Sequence, residues 1–234
     1  MEKFEILYSV LKELHNEGIL DKCVLIGSWC QDFYRSKFEN SFQIPLATTT
    51  DADLLIPKRI KNQVDVAGIM KKVGFDIDFD NMSGLMIFRK DDFKFEFLTD
   101  AGAKSEQSVH KFSNLKINAQ ELRYMTIPQK YNYVQQFRDI QLRLPEPEAF
   151  TLHKVIVSAR RRNLAKRDKD VATAAGLLKY FATKEQHVKR LHEIYNEMIP
   201  AWRKTIDAAL EKAGLYSDWK MIMGELQDGK IGTG

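Results

Sequence analysis

Two aspartates one residue apart, Asp51 and Asp53, follow three threonines (Thr48 to Thr50) and lead into an apolar run, Leu54-Leu55-Ile56. In an extended chain residues i and i+2 point to the same side, so both carboxylates face one way. Like charges so placed repel each other. A hard divalent cation such as Mg²⁺, which takes carboxylate oxygens together with substrate phosphates, offsets that repulsion. A third acid, Glu96, lies in Phe93-Lys94-Phe95-Glu96-Phe97, where large apolar residues alternate with polar ones. On a half-buried strand this pattern turns Glu96 to the polar face, as a candidate third metal ligand or general base. Gly27-Ser28 follows the apolar run Cys23-Val24-Leu25-Ile26. A turn from strand into helix exposes backbone N–H groups and a hydroxyl at a helix N-terminus, which suits an anion. Each piece taken singly also has a plain structural meaning: a common turn, a polar strand entry, the wet face of an amphipathic strand.

The positive charge is concentrated in one place. Between Thr151 and Asp170 lie seven Lys and Arg (Lys154, Arg160, Arg161, Arg162, Lys166, Arg167, Lys169) against Asp168 and Asp170, so this window carries +5 while the whole chain carries +4. Such a face fits either an anionic partner, an NTP or a nucleic acid, or a solvated helix surface. At helical spacing Lys154, Ser158 and Arg161 fall on one face opposite the apolar stripe, and Lys169-Asp170 follows near the start of the next helix. His153, beside Lys154, reads as structural. Asp76, Asp78 and Asp80 imitate a calcium loop, but Asn81 and Ile87 stand where that loop needs Gly and Glu. They are the wet face of a strand. No G-x-S-x-G, H-E-x-x-H, phosphate-binding G-x-x-x-x-G-K-[ST] or G-x-G-x-x-G is present.

The elements that must position these residues come from 234 residues, 44% hydrophobic and 29% charged, enough for a sizeable core and incompatible with disorder. No apolar run approaches the ~18 residues of a membrane span, so no membrane partner is expected. The start has no cleavable signal pattern, the two cysteines (Cys23, Cys30) are expected to be reduced, and the expected location is cytoplasmic. Apolar periodicity predicts a helix over 3–16, a strand at 23–26, a helix from Trp29 to Lys37, a strand at 53–56, a helix over 60–72, three strands between 75 and 97, a loop over 100–122 with little structure of its own, a short helix after Pro128 and a strand at 138–144. Only helices are predicted beyond Pro145-Glu146-Pro147. The reading is an α/β domain over 1–144 and a helical domain over 145–234 with a polar tail at 228–234.

In order, the strand with Gly27-Ser28 and its helix, then Asp51-x-Asp53, then Glu96 on a later strand resemble the nucleotidyltransferase superfamily of DNA polymerase β. The helical part, Glu148 to Lys154, then Arg160-Arg161-Arg162 and Lys169-Asp170, is similar to the motifs of the type IV toxin–antitoxin nucleotidyltransferases. The resemblance runs from about residue 23 to about 180. It implies an α+β fold, a nucleotidyltransferase-like mixed sheet flanked by helices and followed by a C-terminal helical bundle. It also implies transfer of an NMP from an NTP to an acceptor (RNA, protein or small molecule) with release of pyrophosphate. Asp51, Asp53 and Glu96 would hold two Mg²⁺ ions. Gly27, Ser28 and Lys154 would hold the triphosphate, with Lys169 assisting. Asp170 would pair with a basic neighbour or help activate the acceptor. An RNA or protein acceptor would use the basic helices at 151–170. Ser28 and Asp51 are 23 positions apart, against about a dozen in the family, so residues 38–50 are an insertion predicted to shape the acceptor pocket. The alternative is a catalytically silent nucleotide- or partner-binding protein of the same fold, such as a toxin–antitoxin component.

Overall fold

The computed structural model describes residues 2–39, 44, 49–102 and 108–225. Most of the inserted segment, and the polar tail, lie outside the described residues. The chain forms two compact units, one of residues 1–30 with 47–145 and one of 31–46 with 146–234, where the sequence reading draws a single line between 144 and 145.

The first unit begins with α1 (Glu2–Asn16), whose Leu7, Val10, Leu11 and Leu14 are fully buried, the stripe that helical spacing gives. Gly18, at φ 67°, turns the chain out of it. Then follow β1 (Val24–Ile26), α2 (Trp29–Lys37), β2 (Asp51–Leu55), α3 (Val66–Lys72), β3 (Asp76–Phe79), β4 (Met86–Lys90), β5 (Phe93–Asp100), β6 (Val109–Phe112), β7 (Ile117–Leu122), α4 (Thr126–Lys130), β8 (Asn132–Phe137) and β9 (Ile140–Pro145). The line between the units falls inside α2, after Cys30.

Among the described residues nine strands make one mixed sheet in the order β3-β4-β5-β2-β1-β9-β8, with β7 on β5 and β6 on β7. The centre of the sheet is β2, antiparallel to β1 and parallel to β5. The long β5 is bordered on its other side first by β4 and then by β7. Two-residue loops close the β4–β5 and β8–β9 hairpins, with Asp91 and Arg138 at positive φ, as such tight turns require. One face of the central strands carries Ala52, Leu54, Phe93, Phe95 and Phe97, none more than 1% exposed. Each of these large side chains contributes about 1.5–3 kcal/mol by leaving water. That burial fixes the register, and Asp51, Asp53, Lys94 and Glu96 therefore come out on the opposite face.

Three expected elements differ. A short helix is expected after Pro128, but Pro128 lies inside α4 and the strand β8 follows it. Helix is expected over 60–72, but only Val66–Lys72 is helical. Residues 60–65 instead lie along the 114–115 turn: the Asn114 amide donates to the carbonyls of Ile60 (3.1 Å) and Asn62 (2.8 Å), and Val64 N–H donates to Asn114 O. Asp65 then caps α3 by accepting from Gly68 N–H at 2.8 Å. Residues 100–122 are not a plain loop, because β6 and β7 lie within them. The polar look of β7 comes from Asn118 and Glu121, both buried and both bonded to distant partners. Asn118 accepts from Met86 N–H and donates to Gly84 O, and Glu121 pairs with Lys58 at 2.5 Å.

The second unit holds α5 (Pro147–Ser158), α6 (Leu164–Phe181), α7 (Glu185–Glu197), α8 (Pro200–Lys212) and α9 (Tyr216–Glu225), with the greater part of α2. Proline opens α5 and α8, where its missing N–H costs nothing, and Asn163 caps α6 by accepting from Lys166 N–H. Phe150, Val155 and Ile156 of α5, Leu177, Leu178 and Phe181 of α6, and Val188 and Leu191 of α7 are buried. Phe38 stacks on Tyr180 with ring centres 4.7 Å apart. Among the described residues no helix is long and apolar enough to cross a membrane.

Candidate active site

The sheet register sets the three predicted acidic residues on one face of two adjacent strands. In the parallel β2–β5 ladder Asp53 lies opposite Glu96, and Asp51 lies opposite Lys94. Neighbouring strands are about 4.8 Å apart, so Asp51, Asp53, Lys94 and Glu96 form a two-by-two block on one face. From the other side, Ile26 of β1 lies opposite Asp53, and the chain leaves β1 through Gly27. That glycine is favoured by its backbone and lies close to Asp53. Its φ is 83°, which side chains disfavour, and a Cβ there would stand 2.8 Å from Oδ2 of Asp53. The Asp53 carboxylate therefore lies close against the bare backbone of Gly27. Ser28 is the last residue before α2, at the end where the first N–H groups of a helix lack helical acceptors.

The strand entry is held from both sides. The Trp29 indole donates to the Asp51 carbonyl at 3.0 Å, and Trp29, 3% exposed, is itself fixed edge-on by Phe4. Asp51 N–H donates to the Thr49 hydroxyl at 3.1 Å, and Lys94 N–H donates to Thr50 O. These bonds fix the Asp51 backbone while its side chain stays exposed. The sequence reading did not single out Trp29 or Lys94. The ammonium of Lys94 sits 2.6 Å from Oε2 of Glu96, inside the acidic block. The signal was present in the alternation Phe93-Lys94-Phe95-Glu96, which puts Lys94 and Glu96 on one side, but only the register shows that Asp51 is its other neighbour.

The donor chemistry fits a hard divalent cation. All three candidate donors are carboxylates, two of them on one strand, and Mg²⁺ characteristically takes one or two carboxylates and fills its shell with phosphate oxygens and water. Among the described residues no group of three or more His, Cys, Asp and Glu side chains is gathered closely enough to hold an ion. Substrate oxygens would have to supply part of any shell.

The other predicted residues lie in the helical unit. Lys154, on α5, is bonded to Asp170 of α6 at 2.7 Å, and Arg161 reaches the second oxygen of Asp170 at 3.0 Å. Asp170 is 3% exposed, so this cluster ties α5 to α6. Ser158, expected on an open basic face, is buried and donates to Val155 O, because that side of α5 is covered. Lys169 is exposed, as are Arg162 and Lys166. His153 is half-buried, yet its Nε2 is sealed from solvent without a hydrogen-bond partner. Burial, assisted by the charge of Lys154, pushes its pKa down to about 3, so the ring is neutral, in keeping with a structural role. Cys23 and Cys30 are buried thiols, that of Cys30 donating to Leu25 O, and burial raises the pKa of Cys23.

A mixed sheet with an acidic pair on one strand, a third acid on the adjacent parallel strand and a glycine turn against the pair defines a nucleotidyltransferase-like domain. A family model described as nucleotidyltransferase matches residues 5–200, and the chain belongs to that family. Among solved structures it is similar to an antigenic nucleotidyltransferase-like protein from Paracoccidioides brasiliensis, at 12% identity and a TM-score of 0.43, over 87% of this chain and 93% of that one. No curated protein matches it.

Proposed function

We propose that the protein transfers a nucleoside monophosphate from an NTP to an acceptor hydroxyl at the acidic face of β2 and β5. The observation that carries this reading is the register that sets Asp51, Asp53 and Glu96 on one face, with Asp53 against Gly27. Asp51 and Asp53, with Glu96 as third donor, would hold Mg²⁺, which when bound neutralises the phosphates and the departing pyrophosphate. The turn at Gly27 and Ser28 offers backbone N–H groups and a hydroxyl to the β- and γ-phosphates. The acceptor oxygen bonds to the α-phosphorus, the bond from that phosphorus to pyrophosphate breaks, and the hydroxyl proton passes to Glu96. Trp29 and Thr49 keep the β2 entry in place while this happens.

The test is thermal melting with each NTP, with and without Mg²⁺, for the wild type and for Asp51→Ala/Asp53→Ala. A ligand at ~100 times its Kd adds ~2.7 kcal/mol, several degrees in a protein of this size. The expected result is a shift that needs both NTP and Mg²⁺ and disappears in the double variant, followed by pyrophosphate release once an acceptor is supplied. RNA is the first acceptor to try, because Arg162, in the turn before α6, and Lys166 and Lys169 on α6 are exposed, and its binding should weaken steeply with salt. A shift without pyrophosphate release for any acceptor would leave a nucleotide-binding protein of this fold. No shift with any NTP would end the reading.

A further inference from the structure

We propose that Lys94 is the resident counter-ion of the acidic face and sets how strongly that face takes up divalent cations. The proposal rests on the reading of Asp51, Asp53 and Glu96 as metal ligands. Lys94 and Glu96 are two residues apart on β5, so they share the face of Asp51 and Asp53, and the ladder puts Lys94 directly beside Asp51. Its ammonium is bonded to Glu96 at 2.6 Å, with the Lys94 side chain 26% and the Glu96 side chain 13% exposed. Such a pair is shielded from water enough for its charges to act on what enters beside them. On β4 the neighbour of Lys94 is Arg89, but that guanidinium is engaged with Asp78 at 3.2 Å, so the pair Arg89–Asp78 adds no net charge. Lys94 thus cancels one of the negative charges that Asp51, Asp53 and Glu96 bring to this face, and its removal leaves the face one charge more negative. Lys94 does two things at once: it relieves the repulsion between the facing acids Asp53 and Glu96, and it competes with any metal for the oxygens of Glu96.

The experiment is a Mn²⁺ titration of the full chain, read as free Mn²⁺ by electron paramagnetic resonance, on the wild type, Lys94→Met, Lys94→Gln, Lys94→Arg and Asp51→Ala, each shown to be folded by circular dichroism. Both neutral variants should bind Mn²⁺ about tenfold or more tightly than wild type, the order expected on removing a unit charge a few ångströms from a divalent ion. Lys94→Arg, which keeps the charge, should stay within a few-fold of wild type. A merely structural lysine would not give this pattern, since its loss would loosen the block and weaken Mn²⁺ binding in all three. If the neutral variants bind no more tightly than wild type while Asp51→Ala abolishes binding, Lys94 is not the counter-ion and the metal reading stands. If Asp51→Ala binds as wild type does, or neither wild type nor the neutral variants bind at all, the metal reading falls and takes this proposal with it.

Discussion

Asp51 and Asp53 differ in what holds them, and the difference predicts how their variants behave. Asp51 has a fixed backbone and an exposed carboxylate, so Asp51→Asn should leave stability within about 0.5 kcal/mol, as for surface changes. It should also reduce nucleotidyl transfer by several orders of magnitude, since the site is electrostatic. Paired melting and pyrophosphate-release measurements check both halves. Gly27→Ala should damage both. The added methyl meets Asp53 Oδ2 at 2.8 Å on a backbone at φ 83°, and the residue strain alone is of order 1–3 kcal/mol. Because the carboxylate is what must move, Mg²⁺-dependent NTP binding should fall further than the melting temperature suggests. Trp29→Phe keeps the packing on Phe4 but loses the bond to the Asp51 carbonyl. A loss of about 0.5–1.5 kcal/mol in unfolding free energy, with weaker Mg–NTP binding, would show that the indole positions the strand entry. Unchanged nucleotide binding would limit it to the core.

At the scale of elements, β1, α2, β2 and β5 were legible because their patterns are local: a short apolar run, a Gly-Ser turn, an acidic pair before Leu54-Leu55, and phenylalanines at every second place. What those strands do together was not, since the pairing of Asp53 with Glu96 spans 43 positions and no local pattern encodes it. β6 and β7 were missed for the opposite reason. Asn118 and Glu121 look like loop residues, yet both are buried and satisfied by Met86, Gly84 and Lys58, and a buried polar group is tolerated when its bonds are made. The basic stripe misled in a related way. Helical spacing put Lys154, Ser158 and Arg161 on one open face, but Ser158 is buried, Arg161 lies past the end of α5, and both Lys154 and Arg161 are held by Asp170. That cluster yields its own prediction. Asp170→Ala leaves Lys154, with only 12% of its side chain exposed, without its counter-charge, and breaking such a pair costs about 3–5 kcal/mol. The melting temperature should drop by many degrees, whereas Lys154→Met/Asp170→Leu, which removes both charges, should recover most of the loss. No recovery in the double variant would mean that the cluster does more than join two helices.

At the scale of the whole molecule, the two units are expected to answer acid at different pH. In the α/β unit, Asp139 accepts from Tyr8 and Lys12, at 2.5 and 2.6 Å, and the Lys12 ammonium and then the Tyr8 hydroxyl hold its pKa at about 2, below the ordinary 3.8. A carboxylate with a depressed pKa stabilises the fold above its unfolded value. This contribution is intact above about pH 4 and is lost as the pH falls from 3.8 towards 2. In the helical unit a group shifted within the acid range is His153, whose pKa is pushed from 6.5 to about 3 by burial, with Lys154 assisting. The unfolded chain takes up a proton on this ring near pH 6.5 and the folded one refuses it, so stability falls with pH through the window from 6.5 to 3. The helical unit should therefore weaken well before the hairpin contact of α1 does. The three tryptophans divide usefully, Trp29 in the first unit and Trp202 and Trp219 in the second. Melting followed by fluorescence at pH 7, 5 and 3 in single-tryptophan variants separates the two signals. The Trp219 signal should lose stability between pH 7 and 5 while Trp29 holds, and His153→Leu should flatten the Trp219 response over that interval. Equal acid sensitivity of Trp219 with and without the histidine would remove His153 as its source.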